Sequence, residues 1–251
     1  MRALIRPRLR VLHRRVLVGR AHDITTQTAA RSAFVLAPHA DDETIGCGAT
    51  IARKVSCGTA VHVVIATDSD DARRAECGEA CRRLGLPSDA LHFLGLPDGG
   101  LAAHQQDLDG ALRSAVGSFR PDEVIAPFAT DAHPDHRALA ASAERLCTDA
   151  LPDATLLSYP VWFWNRWAWV DRSMPRRAQD VELVWRPLAA TFSLRARVVR
   201  TGGFLAHKRN ALVAHASHTL DADWLAMFLG AEELFFETRL RSRTETRSMQ
   251  P

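Results

Sequence analysis

Two short polar stretches hold most of the residue types that could do chemistry in this chain. Pro38-His39-Ala40-Asp41-Asp42-Glu43 sets a histidine three residues ahead of a carboxylate. Asp131-Ala132-His133-Pro134-Asp135-His136 sets two histidines three apart with an acid between them. Imidazole and carboxylate are the donors of catalytic zinc, which takes three protein ligands and keeps one position for water. Where a loop enters a helix, a three-residue step lets His39 and Asp42 point to one side and turns Asp41 elsewhere. The two stretches can therefore supply three ligands and still leave a base and a second histidine, which is the inventory for metal-assisted hydrolysis. Taken singly, each is also an ordinary set of loop and cap residues, with Asp41 or Asp42 capping a helix. Two such sets, each just after a strand, are poorly explained that way.

The elements that must position them follow from periodicity. Residues 32–37 form a short apolar run that predicts a buried strand ending at Pro38. The acids after it open a helix over 43–55, where the dipole favours them, and Gly58 stops it. Strands are expected at 61–66, 91–94 and 123–126, and helices at 72–84, 108–119, 134–147, 206–216 and 222–230. Alternating strand and helix is the pattern of a parallel sheet. The polar clusters fall in loops after strands, the edge where open α/β sheets bind ligands. Beyond Ser158 the alternation loosens, and the Trp- and Arg-rich residues 159–200 are expected to add strands or irregular structure.

Composition narrows the classes. The 251 residues, 47% apolar and 24% charged, suit one α/β domain, and no apolar run is long enough for a spanning helix. A net charge of +3 does not argue for nucleic acid. Residues 2–31 nevertheless hold eight arginines and a single acid, Asp23. They lack the apolar core of a secretory signal, and an arginine-rich start also occurs in transit peptides. The plainest reading is a solvated arm or a helix lying on the domain, ahead of a membrane-surface or acidic-partner role. Five cysteines without a CxxC pair give no disulfide framework, so a reducing compartment, the cytoplasm, is expected. Cys77 and Cys81 read as small buried apolar residues.

PHADDE resembles the PHPDDE signature of the LmbE-like, or PIG-L-type, metal-dependent N-deacetylases, and HPDH resembles their second motif. Similarity runs through most of 32–218. It takes in Thr67-Asp68, the Arg73-Arg74-Ala75-Glu76 helix with Leu84-Gly85, the loop Leu94–Gly99, and the late helix Lys208–Leu212 with Ala214–Ser217. Two departures are Ala40, where the family usually has proline, and His218, where it often has glutamine.

The resemblance implies a Rossmann-like three-layer sandwich, a mostly parallel sheet with helices on both faces. The domain would span 32–237, between the Arg-rich arm 1–31 and a charged tail 238–251. It implies zinc held by His39, Asp42 and His136, with Fe²⁺ an alternative because two histidines and an aspartate also suit iron. Asp41 would be the general base. His133, oriented by Asp135, would stabilise the oxyanion and protonate the leaving amine. Arg73 and Asp98 would hold sugar hydroxyls. The implied substrate is a small N-acetylglucosamine-type molecule. The rivals are an amidase of the same fold acting on a larger thiol or antibiotic conjugate, and a sugar-binding module without catalysis.

Trp162, Trp164, Trp167 and Trp169 suit either core or oligomer contacts or a substrate wall. Asp68, Asp70 and Asp71 read as solvated loop acids rather than a second cation site, and His62 and His92 as ordinary sheet residues.

Overall fold

A computed structural model describes residues 2–163, 185, 189, 191–217 and 222–238. Trp164, Trp167, Trp169, His218 and the tail from residue 239 lie outside the described residues.

The first strand of the predicted alternation is β2 (Ala33–Ala37), preceded by α1 (Arg2–Arg20), β1 (His22–Asp23) and α2 (Thr25–Ala29). After it come α3 (Asp42–Ser56), β3 (Val61–Thr67), α4 (Asp71–Arg83), β4 (Leu91–Leu96), α5 (Gln105–Val116), β5 (Glu123–Pro127), α6 (Pro134–Asp149) and β6 (Thr155–Tyr159). The late elements are β7 (Ala196–Arg200), α7 (Leu205–Leu212), α8 (Ala222–Leu225) and β8 (Glu232–Thr238). The eight strands form one sheet in the order β1-β7-β8-β6-β5-β2-β3-β4. All pairings are parallel except those of β8 with β6 and β7.

Strand β2 shows why the sheet has two covered faces. Its five residues are all buried, and they alternate. Ala33, Val35 and Ala37 join the core under α3 and α4, whereas Phe34 and Leu36 join the core under α5 and α6. A strand apolar on both faces belongs inside a three-layer sandwich.

The chain runs β2, β3, β4 outward in one direction and then returns to add β5 on the other side of β2. The reversal point lies between the carboxyl ends of β2 and β5, where such sheets leave a crevice.

The late half departs from the sequence reading. Strand β8 runs antiparallel to β6 and β7, although α7 and α8 lie between β7 and β8, so the alternation of helix and strand alone did not give its direction. The Arg-rich start also contributes to the sheet: β1 pairs with β7, and Thr28 in α2 donates to Glu123 at 2.6 Å. Lys54 closes this corner, reaching Glu123 at 2.7 Å and the Arg31 carbonyl at 2.7 Å.

Helix α3 is broken at Cys47, whose φ of −145° and ψ of 22° interrupt the ladder. The break is filled from outside the helix. Lys208 of α7 donates to the Ile45 carbonyl at 2.7 Å. Glu233 of β8 accepts from the Ala49 and Thr50 amides at 2.9 and 2.8 Å. Gly46 packs directly on the Tyr159 ring, so that a side chain there would collide with it. The first turn of α3 is thus set at its own angle, held by the far end of the chain.

Candidate metal centre and active site

The two histidine-bearing loops leave β2 and β5 at neighbouring positions of the sheet. The loop after β2 is pinned by Thr67, whose amide and hydroxyl both donate to the Pro38 carbonyl, at 3.0 and 2.7 Å. Ala40 is buried in this turn.

One carboxylate oxygen joins the loops. Asp42 Oδ2 lies 3.1 Å from His39 Nδ1 and 3.2 Å from His136 Nε2, and accepts the His39 amide at 3.2 Å. Donor atoms around one tetrahedral ion with bonds of about 2.0–2.1 Å stand about 3.3 Å apart. Both ring nitrogens of His136 are buried and lack an aligned hydrogen bond, although acid oxygens sit at contact distance. A buried imidazole that is close to its neighbours but badly aligned for a proton suits a cation better than a hydrogen bond. The residues present therefore fit a metal ion.

Each histidine is backed by another carboxylate. His136 Nδ1 lies 3.3 Å from Asp131, which is itself fixed by the Ala132, Val161 and Trp162 amides. His39 Nε2 lies 3.3 Å from Asp135 and 3.1 Å from the more exposed Asp98. Asp135 accepts from the Gly99 and Leu101 amides at 2.7 and 3.1 Å, tying the 97–101 loop to the centre. A carboxylate behind a ligating histidine fixes its tautomer and orientation.

The Asp135 carboxylate reaches His39 and also acts on His133 through its charge. His133 caps α6, its Nδ1 accepting the Asp135 amide at 3.3 Å. With Pro134 at N1, His133 falls at the N-cap, and Asp135 turns inward beneath it. With Nδ1 accepting, the neutral ring carries its proton on Nε2.

Charge in the centre is set by crowding. Burial disfavours a charged His136, but Asp42 and Asp131 outweigh it and hold its pKa up at about 10. Burial likewise opposes an ionised Asp42, and His136 with His39 keeps it well below the usual carboxylate range. Asp41 goes the other way: burial first, then Asp42 and Glu43, push it up to about 8. Asp41 occupies the N-cap position of α3 yet makes no capping hydrogen bond with its side chain. His133 is lowered by burial and by the neighbouring His39 and His136.

The structure thus brings His39, Asp42, His133, Asp135, His136 and Asp98 together, with Asp41 adjacent in the chain. A ring nitrogen of each of His39, His133 and His136 lies within 4.8 Å of the others, so an all-histidine set is also close. Asp42 is the better third donor, since its oxygen already touches two of the rings. Arg73 sits in the first turn of α4, where its amide serves the Asp70 cap at 2.8 Å. Arg74 is held by Asp68 at 2.9 Å and stacks over Phe93.

Sequence reasoning gave no role to Asp131 or to Glu43. Asp131 had a signal, an acid five residues before the candidate ligand His136. Glu43 is fully buried, accepts the Asp41 amide at 3.0 Å and faces His215 at 3.6 Å. Glu43, Cys77 and Cys81 form a second close group of donors, but the Glu43 oxygens already accept from Thr44 and Asp41. Trp162 lies against His133, ring centroids 6.5 Å apart, and stacks on Trp224 at 5.4 Å, forming a wall beside the histidines.

Residues 34–147 match the family described as PIG-L: GlcNAc-PI de-N-acetylase, as the LmbE-like motifs imply. Solved structures agree on the fold. A conserved protein of Thermus thermophilus is similar at 26% identity and a TM-score of 0.58, over 84% of this chain and 96% of that one. A deacetylase of the teicoplanin biosynthesis pathway is similar at 16% identity and a TM-score of 0.64, over 82% and 97%. N,N'-diacetylchitobiose deacetylase from Pyrococcus horikoshii is similar at 20% identity and a TM-score of 0.54, over 83% and 84%.

Proposed function

We propose that this chain, of the PIG-L type over residues 34–147, is a metal-dependent hydrolase that removes an acetyl group from an N-acetylated amino sugar. The observation that carries this reading is the single Asp42 oxygen within 3.1 and 3.2 Å of two histidine nitrogens, beside the buried Asp41. His39, Asp42 and His136 would hold the ion, with zinc the first choice and Fe²⁺ the second. When bound, the metal supplies Lewis acidity, polarising a carbonyl and lowering the pKa of water to about 7.

The remaining steps belong to side chains. Asp41 takes the proton of the attacking water as its oxygen bonds to the acetamide carbon. A carboxylate whose pKa is raised toward neutrality is well matched to that task. His133 donates Nε2–H to the developing oxyanion, in the role of a preorganised donor. The C–N bond then breaks, the proton passes to the leaving nitrogen, and acetate and a free amine result. Asp135 holds His39, Asp131 holds His136, and Asp98 and Arg73 would hold sugar hydroxyls.

The Trp162–Trp224 stack favours a second reading of the substrate alone: a larger conjugate whose apolar part lies on that wall. One experiment tests both. Metal content is measured, and acetate release is followed over a set of N-acetylglucosamine conjugates with increasingly large aglycones. Loss of all deacetylation with full metal occupancy would refute the leading reading.

A further inference from the structure

Two parts of the sequence pattern have no task in the deacetylation above: Glu76 of α4 and the turn Ala214–Ser217 after α7. The fold joins them. The Ser217 amide and hydroxyl both donate to the Glu76 carboxylate, at 2.9 and 2.6 Å. Backbone bonds from Ala214 to Ala211 and from His215 to Leu212 wind the turn back onto α7, which packs on α3 and α4. His215 is thereby carried inward and buried, while Val213, Ala216 and Ser217 around it stay exposed.

The His215 ring faces the start of α3. Its Nε2 lies 3.6 Å from Glu43 Oε1 and has no aligned hydrogen bond, and the two side chains are 1% and 0% exposed. Glu43 in turn holds the backbone of the loop. Its Oε1 accepts the Thr44 hydroxyl at 2.6 Å, and its Oε2 accepts the Asp41 amide at 3.0 Å, an amide that also reaches the His39 carbonyl at 3.0 Å. A carboxylate taken out of water is costly without a partner of opposite charge. The basic group facing Glu43 is His215. Burial alone would favour a neutral ring, but Glu43, then Asp41 and Glu76, outweigh it and raise the His215 pKa.

We propose that His215 is a positioning residue: it holds Glu43, and Glu43 fixes the backbone from which the proposed base Asp41 and the candidate ligand Asp42 project. What Asp41 does in this scheme rests on the deacetylase reading; what His215 holds rests on the contacts alone. Helix α7 and the turn after it thus grip the first turn of α3 twice, Lys208 at the Ile45 carbonyl and His215 at Glu43. A histidine that merely fills the core would stabilise the fold as a whole, whereas a positioning histidine acts on one segment.

The test uses the full chain. Hydrogen exchange read by mass spectrometry follows the peptide covering residues 38–44 in metal-free protein, and acetate release gives kcat and KM with metal bound. His215→Leu is expected to speed exchange in that peptide about tenfold, the scale of a hydrogen bond to a charged group, while β5 keeps its parent rate. The kcat should fall about 10²-fold at nearly parent KM and metal content, as for a misplaced reacting group. His215→Gln, whose amide can stand where Nε2–H stood, should recover most of both losses. Ser217→Ala loosens the turn without removing the ring and should raise exchange at 38–44 by a smaller factor. Parent-like exchange at 38–44 or parent-like kcat in His215→Leu would overturn the proposal. So would faster exchange spread evenly over the protein, or a glutamine variant no better than the leucine one. If His215→Leu does not fold, parent-like exchange in Ser217→Ala overturns it. A parent that releases no acetate refutes the deacetylase reading instead, and the exchange result still decides the role of His215.

Discussion

Lys208 and Glu233 meet at 2.7 Å inside the break of α3, and both side chains are almost completely buried. They stand where the helix's own peptide groups would have paired: the cation takes the Ile45 carbonyl and the anion takes the Ala49 and Thr50 amides. Removing one partner leaves a buried charge and unpaired backbone groups. Lys208→Met is therefore expected to destabilise the protein by about 3–5 kcal/mol, read by denaturant unfolding. Lys208→Met combined with Glu233→Gln should cost less than the sum of the two single changes.

Asp41→Asn keeps size and removes the proposed base. Metal content should stay at the parent level while turnover falls by about 10²–10⁴. Near-parent acetate release from this variant would mean that another group accepts the proton.

His39→Ala and Asp42→Ala should lose metal and activity together. Asp135→Asn is the more informative change, because it leaves the proposed ligands in place and alters the group behind His39 Nε2, which also accepts the Gly99 and Leu101 amides. A loss of about 10–100-fold in metal affinity is expected, measured by competition with a chelator. An unchanged affinity would show that Asp135 serves the 97–101 loop alone.

His133→Ala separates the two candidate ligand sets. If His133 is a proton donor, metal stays bound and kcat falls by about 10²–10³. Metal loss equal to that of His39→Ala would instead favour the all-histidine set.

Asp109 ties α5 to α6, accepting from Arg145 at 2.7 and 2.9 Å and from Ser142. Partial burial alone would raise its pKa, but Arg145 and Ser142 overcome this and lower it. A lowered folded pKa gives stability that is fully present above the unfolded value of about 3.9 and is lost as pH falls through the lower folded value. Asp109→Asn should thus reduce the melting temperature at neutral pH and flatten its fall in acid.

The parallel half of the sheet and the two loops of the candidate metal centre were legible because both leave local signals. Strand β2 is a pure apolar run, and the candidate ligands crowd into two hexapeptides. The antiparallel strand β8 was not, since its place between β6 and β7 is decided by contacts across the fold. Lys208 was noticed only as part of a motif. Its partner lies 25 residues on and its target 163 residues back, and no window along the chain spans that distance. Asp135 is a subtler case: its contact with His39 depends on the capping geometry of His133, which spacing along the chain does not show.

The broken helix has a consequence for the order in which the molecule is made. The residues that would hold the metal are all synthesised by position 136, yet the carboxylate that completes α3 arrives only with β8. A growing chain can carry every donor atom and still lack the brace at Ala49 and Thr50. The full set of donors and the finished helix that presents Asp42 are thus reached at different points of synthesis.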